Sequence, residues 1–140
     1  MSDDAPRAGA RGVVVGHGAM AAGMVDAVRR IAGVGDDVLV SVSNEGKGPD
    51  ALKQELAGIV GNGPVVVFTD MHAGSCAVAA RVACRAGPQS AVVCGVNLPM
   101  LLDFVFHREV PLPELVEKLV REGRAAITAH PPHADRPVSG

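Results

Sequence analysis

Aromatic side chains are nearly missing from this chain: 2% of residues, with three phenylalanines and neither tryptophan nor tyrosine. That scarcity argues against a site built on base-stacking or sugar-stacking platforms. Basic runs are missing as well. Thirteen Lys and Arg against fifteen Asp and Glu leave a formal net charge of −2, so nucleic acid is not an expected partner. No apolar stretch approaches the roughly 18 residues that a membrane span requires, and direct membrane insertion is not expected. The opening residues, Met1-Ser2-Asp3-Asp4-Ala5-Pro6, are polar and acidic. They lack the basic-then-apolar order of a signal peptide. The cysteines are Cys76, Cys84 and Cys94, an odd count with no C-x-x-C and with apolar neighbours. Buried thiols in a reducing, cytoplasmic compartment explain them.

Nucleotide cradles are missing too. There is no G-x-x-x-x-G-K-[ST]. Gly16 and Gly18 followed by Gly23 miss the third position of a dinucleotide fingerprint. No acidic residue closes the second strand candidate as a ribose ligand should. Ser75 lacks the G-x-S-x-G context of an activated serine.

What remains is an ordinary globular composition, 48% apolar and 20% charged over 140 residues, enough for one domain with one core. Residues 1–10 show no periodicity and read as a disordered lead-in. Arg11–Gly16, Asp37–Val42, Val65–Thr69 and Ser90–Cys94 read as strands, the first and third as runs buried on both faces. Helical patterns lie between them. Met20, Met24, Val28 and Ile31 form one stripe, and Leu52, Leu56 and Ile59 another. A third helix opens near Ser75 and runs to about Arg85, and Pro99 opens a short fourth. After Pro111 and Pro113 a last helix carries Leu115, Val116, Leu119 and Val120. Arg124–Thr128 has the makings of a short final strand, and residues 130–140 read as a flexible tail. The alternation predicts an α/β fold, with an open, mostly parallel four-stranded sheet and helices on both faces. It occupies a single domain over residues 11–129.

Such sheets bind ligands beyond the carboxyl ends of their strands. His17 lies there, flanked by Gly16 and Gly18, and Asp70 ends the third strand. A carboxylate accepting from one imidazole nitrogen fixes the tautomer and frees the other nitrogen as nucleophile or base. Each residue also has an ordinary structural role open to it, as a turn histidine and as an aspartate satisfying loop amides. Gly74-Ser75 opens a helix whose free amides favour an anion, although a plain N-cap also accounts for Ser75. His72 reads as an exposed loop residue. A metal set of His17, His72 and Asp70 has no recognised ligand spacing, so no metal and no cofactor are expected.

Three blocks in order now resemble one family: Val13-Val14-Val15-Gly16-His17-Gly18 with Ala21 and Gly23, then Thr69-Asp70 with Gly74-Ser75, then Gly95-Val96-Asn97-Leu98-Pro99-Met100-Leu101. They look like the mannose-type enzyme IIA of the phosphoenolpyruvate:sugar phosphotransferase system, over residues 11–128. The resemblance implies a phosphotransferase acting from histidine to histidine. His17 would accept a phosphoryl group from HPr and pass it to a IIB component for sugar uptake. It also implies that Asp70 hydrogen-bonds His17, that Gly18, Gly74, Ser75 and Asn97 line the phosphoryl or partner face, and that the chain is a homodimer exchanging a last strand. Attack through Nε2 follows if Asp70 holds the other nitrogen. Met20, Met71 and Met100 offer an adaptable apolar patch to partners, or core packing. The segment Asp70–Cys76 departs from the family's usual residues. Three other readings stay open: a regulatory IIA-like protein signalling through its phosphorylation state, the related phosphocarrier serving dihydroxyacetone kinase, and a flavodoxin-like nucleotide binder.

Overall fold

The computed structural model describes residues 9–61, 63–86 and 89–131. Four strands, β1 (Arg11–Gly16), β2 (Leu39–Ser43), β3 (Val65–Thr69) and β4 (Ser90–Cys94), alternate with helices α1 (Met20–Ala32), α2 (Pro49–Val60) and α3 (Ser75–Ala86). Two further helices follow, α4 (Leu98–Phe106) and α5 (Leu112–Ala125). The sheet is wholly parallel, in the order β2-β1-β3-β4. Strand order therefore reverses direction between β1 and β3, which makes their carboxyl ends the switch point of the sheet.

The strands are runs of β-branched residues because both faces are covered, and alternate side chains feed two separate cores. Val14, Val66, Phe68 and Leu39 pack with Val25 and Val28 of α1, Leu101 and Phe104 of α4, and Leu115 and Leu119 of α5. Val13, Val15, Val65 and Val67 pack on the other face with Leu52, Leu56 and Val60 of α2 and Ala79, Ala80 and Ala83 of α3. Each such valine or leucine contributes about 1.5–3 kcal/mol on burial. Phe68 and Phe104 meet edge to face at 5.3 Å across the first core.

Several expectations shift. On α1 the buried residues are Ala21, Val25 and Val28, while Met20 and Ile31 of the expected stripe are exposed. The helix rests on its small residues: a Cβ on Gly16 would stand only 3.6 Å from that of Ala21, so Ala21 faces the closest approach of helix to strand. On α2, Val60 is buried and Ile59 packs at the margin of the core. The second strand starts two residues later than expected, because Val38 and Leu39 donate their amides back to Gly35 in a turn. Gly9 and Ala10, assigned above to the lead-in, are held by Arg108, whose Nε donates to the Ala10 carbonyl at 2.8 Å while Ala10 N–H donates to the Arg108 carbonyl. The rest of the lead-in and most of the tail, residues 132–140, lie outside the described residues.

The expected strand over Arg124–Thr128 does not form within this chain. Arg124 and Ala125 finish α5, and the next two amides fold back onto the Glu122 and Arg124 carbonyls. Ile127 stands 73% exposed. No described helix is long and apolar enough to cross a membrane.

Candidate active site at the carboxyl ends of β1 and β3

The register that sets Val15 beside Thr69 brings His17 and Asp70 together across 53 residues of sequence. Asp70 Oδ2 lies 2.6 Å from His17 Nδ1 and also accepts the His17 main-chain N–H at 2.9 Å. Its Oδ1 accepts the Met71 N–H at 3.0 Å. Burial pushes the Asp70 carboxyl up, but the His17 side-chain and main-chain hydrogen bonds, the His17 charge and the Met71 amide outweigh it, so its pKa falls below the ordinary value. Asp70 is thus the anion of the pair, and the shared proton resides on Nδ1, which donates to it. The imidazole is then fixed with its Nε2 lone pair outward. The His17 side chain is 44% exposed and that of Asp70 only 9%, so the carboxylate anchors and the imidazole faces solvent.

Glycines shape both sides of the ring. Gly18 turns the chain at φ 59° between β1 and α1, a conformation that costs other residues about 1–2 kcal/mol. Gly74, at φ 95°, lies against the imidazole edge. A Cβ there would stand 3.6 Å from His17 Cε1 and 3.8 Å from Nε2. The bare backbone leaves room directly beside the free nitrogen.

The β2 end supplies two further residues, Ser43 and Asn44. Asn44 Oδ1 accepts the Gly18 N–H at 3.3 Å, and Ser43 Oγ donates to the Gly18 carbonyl at 2.9 Å. Asn44 N–H also donates to the Gly16 carbonyl. Together they clamp the Gly16–Gly18 turn on both sides. A signal for them lies in position: Ser43 ends β2 and Asn44 follows it, beside β1 at the same end of the sheet. Cys76, the second residue of α3, is buried with Sγ 3.8 Å from His17 Nδ1. Burial, reinforced by the Asp70 charge, raises its thiol pKa.

The remaining expected site residues are distributed as follows. Gly18 follows His17 in the chain, and its amide is committed to Asn44. Ser75 is exposed and is the first residue of α3, where the Gly74 carbonyl accepts the Val78 N–H. Asn97 is occupied elsewhere: its Oδ1 accepts the Met100 N–H at 3.1 Å and its Nδ2 donates to the Gly123 carbonyl at 2.9 Å, capping α4 and tying it to α5. His72 is exposed, and its main-chain carbonyl accepts from Arg81 at 2.5 Å. Met20 and Met71 are half exposed, whereas Met100 belongs to the core. A concavity of about 430 Å³ lies at the opposite end of the sheet, among Pro64, Gln89, Arg108 and Pro111. The chemistry sits instead on an open face, which suits a macromolecular partner more than an engulfed small molecule.

A family model described as the PTS system fructose IIA component, EIIA-man, matches residues 12–120. The chain belongs to this IIA family of the phosphotransferase system. The match spans β1 through most of α5 and carries a phosphotransferase role in the general sense. The mannose/sorbose-specific IIA subunit from Enterococcus faecalis is similar at 27% identity and TM-score 0.77, over 95% of this chain and all of that one (100%). Component EIIA from Streptococcus agalactiae shares the fold at 20% identity and TM-score 0.79, over 86% and 97% of the two chains. So does the PTS IIA protein associated with the fucose utilization operon of Streptococcus pneumoniae, at 18% identity, TM-score 0.77, over 88% and 94%. No curated protein matches the chain. The four-stranded parallel sheet and the family likeness read from the sequence are both borne out.

Proposed function

We propose that this IIA protein is a cytoplasmic phosphocarrier, taking a phosphoryl group from phosphohistidine of HPr onto His17 Nε2 and delivering it to a IIB component for sugar uptake. The observation that carries the reading is the Nδ1–Asp70 hydrogen bond at the switch point, which leaves the opposite nitrogen of an exposed imidazole free. In the transfer, the Nε2 lone pair forms the new N–P bond while the bond from phosphorus to the donor imidazole breaks. The electron pair of that bond returns to the donor. Nδ1 keeps its proton, and Asp70 stabilises the positive ring that results. Delivery to IIB runs the same step in reverse order. Positioning and charge do the work, with neither ATP nor metal required by the chemistry.

Gly74 leaves space for the phosphoryl oxygens, and the start of α3 at Ser75 presents helix amides beside it. Half-exposed Met20 and Met71 at this end give an adaptable surface for two successive partners. A homodimer fits the place of β4 at the edge of the sheet and the exposed Phe106 and Ile127. Incubation with phosphoenolpyruvate, enzyme I and HPr, followed by intact mass at mildly alkaline pH, tests the reading. One acid-labile phosphoryl group is expected on the wild type and none on His17→Ala. Full phosphorylation of His17→Ala would overturn it.

A further inference from the structure

His17, Asp70 and Cys76 come from three separate elements, the ends of β1 and β3 and the first turn of α3. Their donor atoms nevertheless converge. Nδ1, a carboxylate oxygen and Sγ lie within 4.8 Å of one another, the closest pair at 2.6 Å and the sulfur 3.8 Å from Nδ1. Nitrogen, oxygen and sulfur donors in one cluster match the preference of zinc, with bonds of about 2.0–2.3 Å, and tetrahedral angles at those lengths separate donors by roughly 3.3–3.6 Å. The N···S distance of 3.8 Å is already near that range; binding would open the N···O pair by about 0.7 Å and draw oxygen and sulfur together from within their 4.8 Å limit. The third donor is Cys76, not the His72 that the sequence brought into question.

We propose that His17 Nδ1, Asp70 and Cys76 form a binding site for a borderline-soft divalent cation of the Zn²⁺ type, and that cation and phosphoryl group exclude one another at His17. Only the exclusion rests on the phosphocarrier reading; the binding does not. The buried sulfur forms the floor, and the cation enters from the exposed imidazole side. Carboxylate and thiolate together neutralise a divalent charge, which removes the main cost of holding it there.

The proton balance gives the site its consequence. On binding, the Cys76 thiol releases its proton to solvent. The Nδ1 proton moves to Nε2, and the Nδ1 lone pair takes the metal. Nε2 then carries a hydrogen and is no longer a nucleophile. A His17 phosphorylated on Nε2 keeps its proton on Nδ1 and denies that nitrogen to the metal. The metal and the phosphoryl group thus demand opposite tautomers of one ring.

Cobalt(II) titration of the full chain tests the binding, because a thiolate–cobalt charge-transfer band reports sulfur ligation directly. The expected result is a one-to-one band that zinc displaces, retained in the double variant Cys84→Ser/Cys94→Ser and lost in Cys76→Ser, with at least a tenfold fall in zinc affinity for the latter. No band in the wild type, or a band that the Cys84→Ser/Cys94→Ser protein loses, would overturn the site whatever the folding of Cys76→Ser. Phosphoryl acceptance from HPr is then measured with and without zinc. Inhibition of the wild type, relieved in Cys76→Ser, supports exclusion, and equal acceptance by zinc-loaded and zinc-free wild type overturns it. If zinc-free protein accepts no phosphoryl group while the cobalt band is present, the phosphocarrier reading fails and the cation site stands.

Discussion

One oxygen of Asp70 holds both ends of His17: Oδ2 accepts from Nδ1 at 2.6 Å and from the main-chain N–H at 2.9 Å. The side chain and the backbone of the histidine are thus referred to a single atom, itself fixed at the end of the most deeply buried strand. Rotation of the ring about its χ angles breaks a charge-assisted hydrogen bond, worth about 1.5–3 kcal/mol.

Asp70→Ala is expected to leave the fold intact, slow phosphoryl acceptance and shorten the life of the phosphohistidine. Without the carboxylate, the ring loses both its orientation and the charge that stabilises its cationic form. Rapid-quench phosphorylation and the decay rate of the phosphoprotein check both effects. An unchanged rate would remove Asp70 from the mechanism.

The lowered Asp70 pKa has a pH signature. A depressed folded-state value means that the unfolded chain binds the proton more readily. The contribution of Asp70 to stability is therefore fully present above the unfolded aspartate value of about 3.9. It is lost as pH falls through the lower folded value. In urea denaturation, the wild type should exceed Asp70→Asn in stability at neutral pH and converge on it in strong acid. A difference that grows toward low pH would contradict the assignment.

Gly74→Ala places a methyl group 3.8 Å from Nε2 at a residue with φ 95°. The strained backbone costs about 1–2 kcal/mol, and the methyl group occupies space beside the reacting nitrogen. Phosphoryl acceptance should fall by more than the stability loss accounts for. The comparison is rate at a temperature where both proteins are fully folded, and equal rates there would place the phosphoryl group elsewhere.

Asn97 and Asn44 separate a structural role from a site role. Asn97→Ala removes the α4 cap and the link to Gly123, at about 1–2 kcal/mol, and should leave phosphoryl acceptance unchanged once folded. Asn44→Ala frees the Gly18 amide. It should cost about 1 kcal/mol and also slow acceptance, because the turn that carries His17 loosens. Thermal melts paired with single-turnover rates distinguish the two. A rate loss in Asn97→Ala would return that residue to the phosphoryl face.

The sequence revealed the central strands because residues buried on both faces leave unbroken apolar runs, as in Val65–Thr69. The His17–Asp70 pair was legible through the family resemblance and on the condition that the first and third strands are neighbours, which the β1–β3 pairing meets. Helix phase was harder to read. Large residues mark a stripe on α1, yet the tight contact with β1 selects Ala21 and Val25 over Met20. Cys76 was legible as buried, but which way it points depends on where α3 begins. Ser43 and Asn44 act through single polar atoms that no periodicity records. Arg124–Thr128 looks strand-like by local pattern, yet its first residues finish α5 and the next two amides fold back onto that helix, a continuation that local pattern does not record.

The separation of 53 positions between His17 and Asp70 bears on biosynthesis. The histidine is made early and its carboxylate much later, and they meet only when β1 has paired with β3. Before that pairing, the imidazole has no orienting anion and, on the proposed mechanism, is a slow acceptor. On the proposed mechanism, a chain stalled with its central strands apart would be a poor phosphoryl acceptor, so efficient entry into the relay would wait on completion of the sheet.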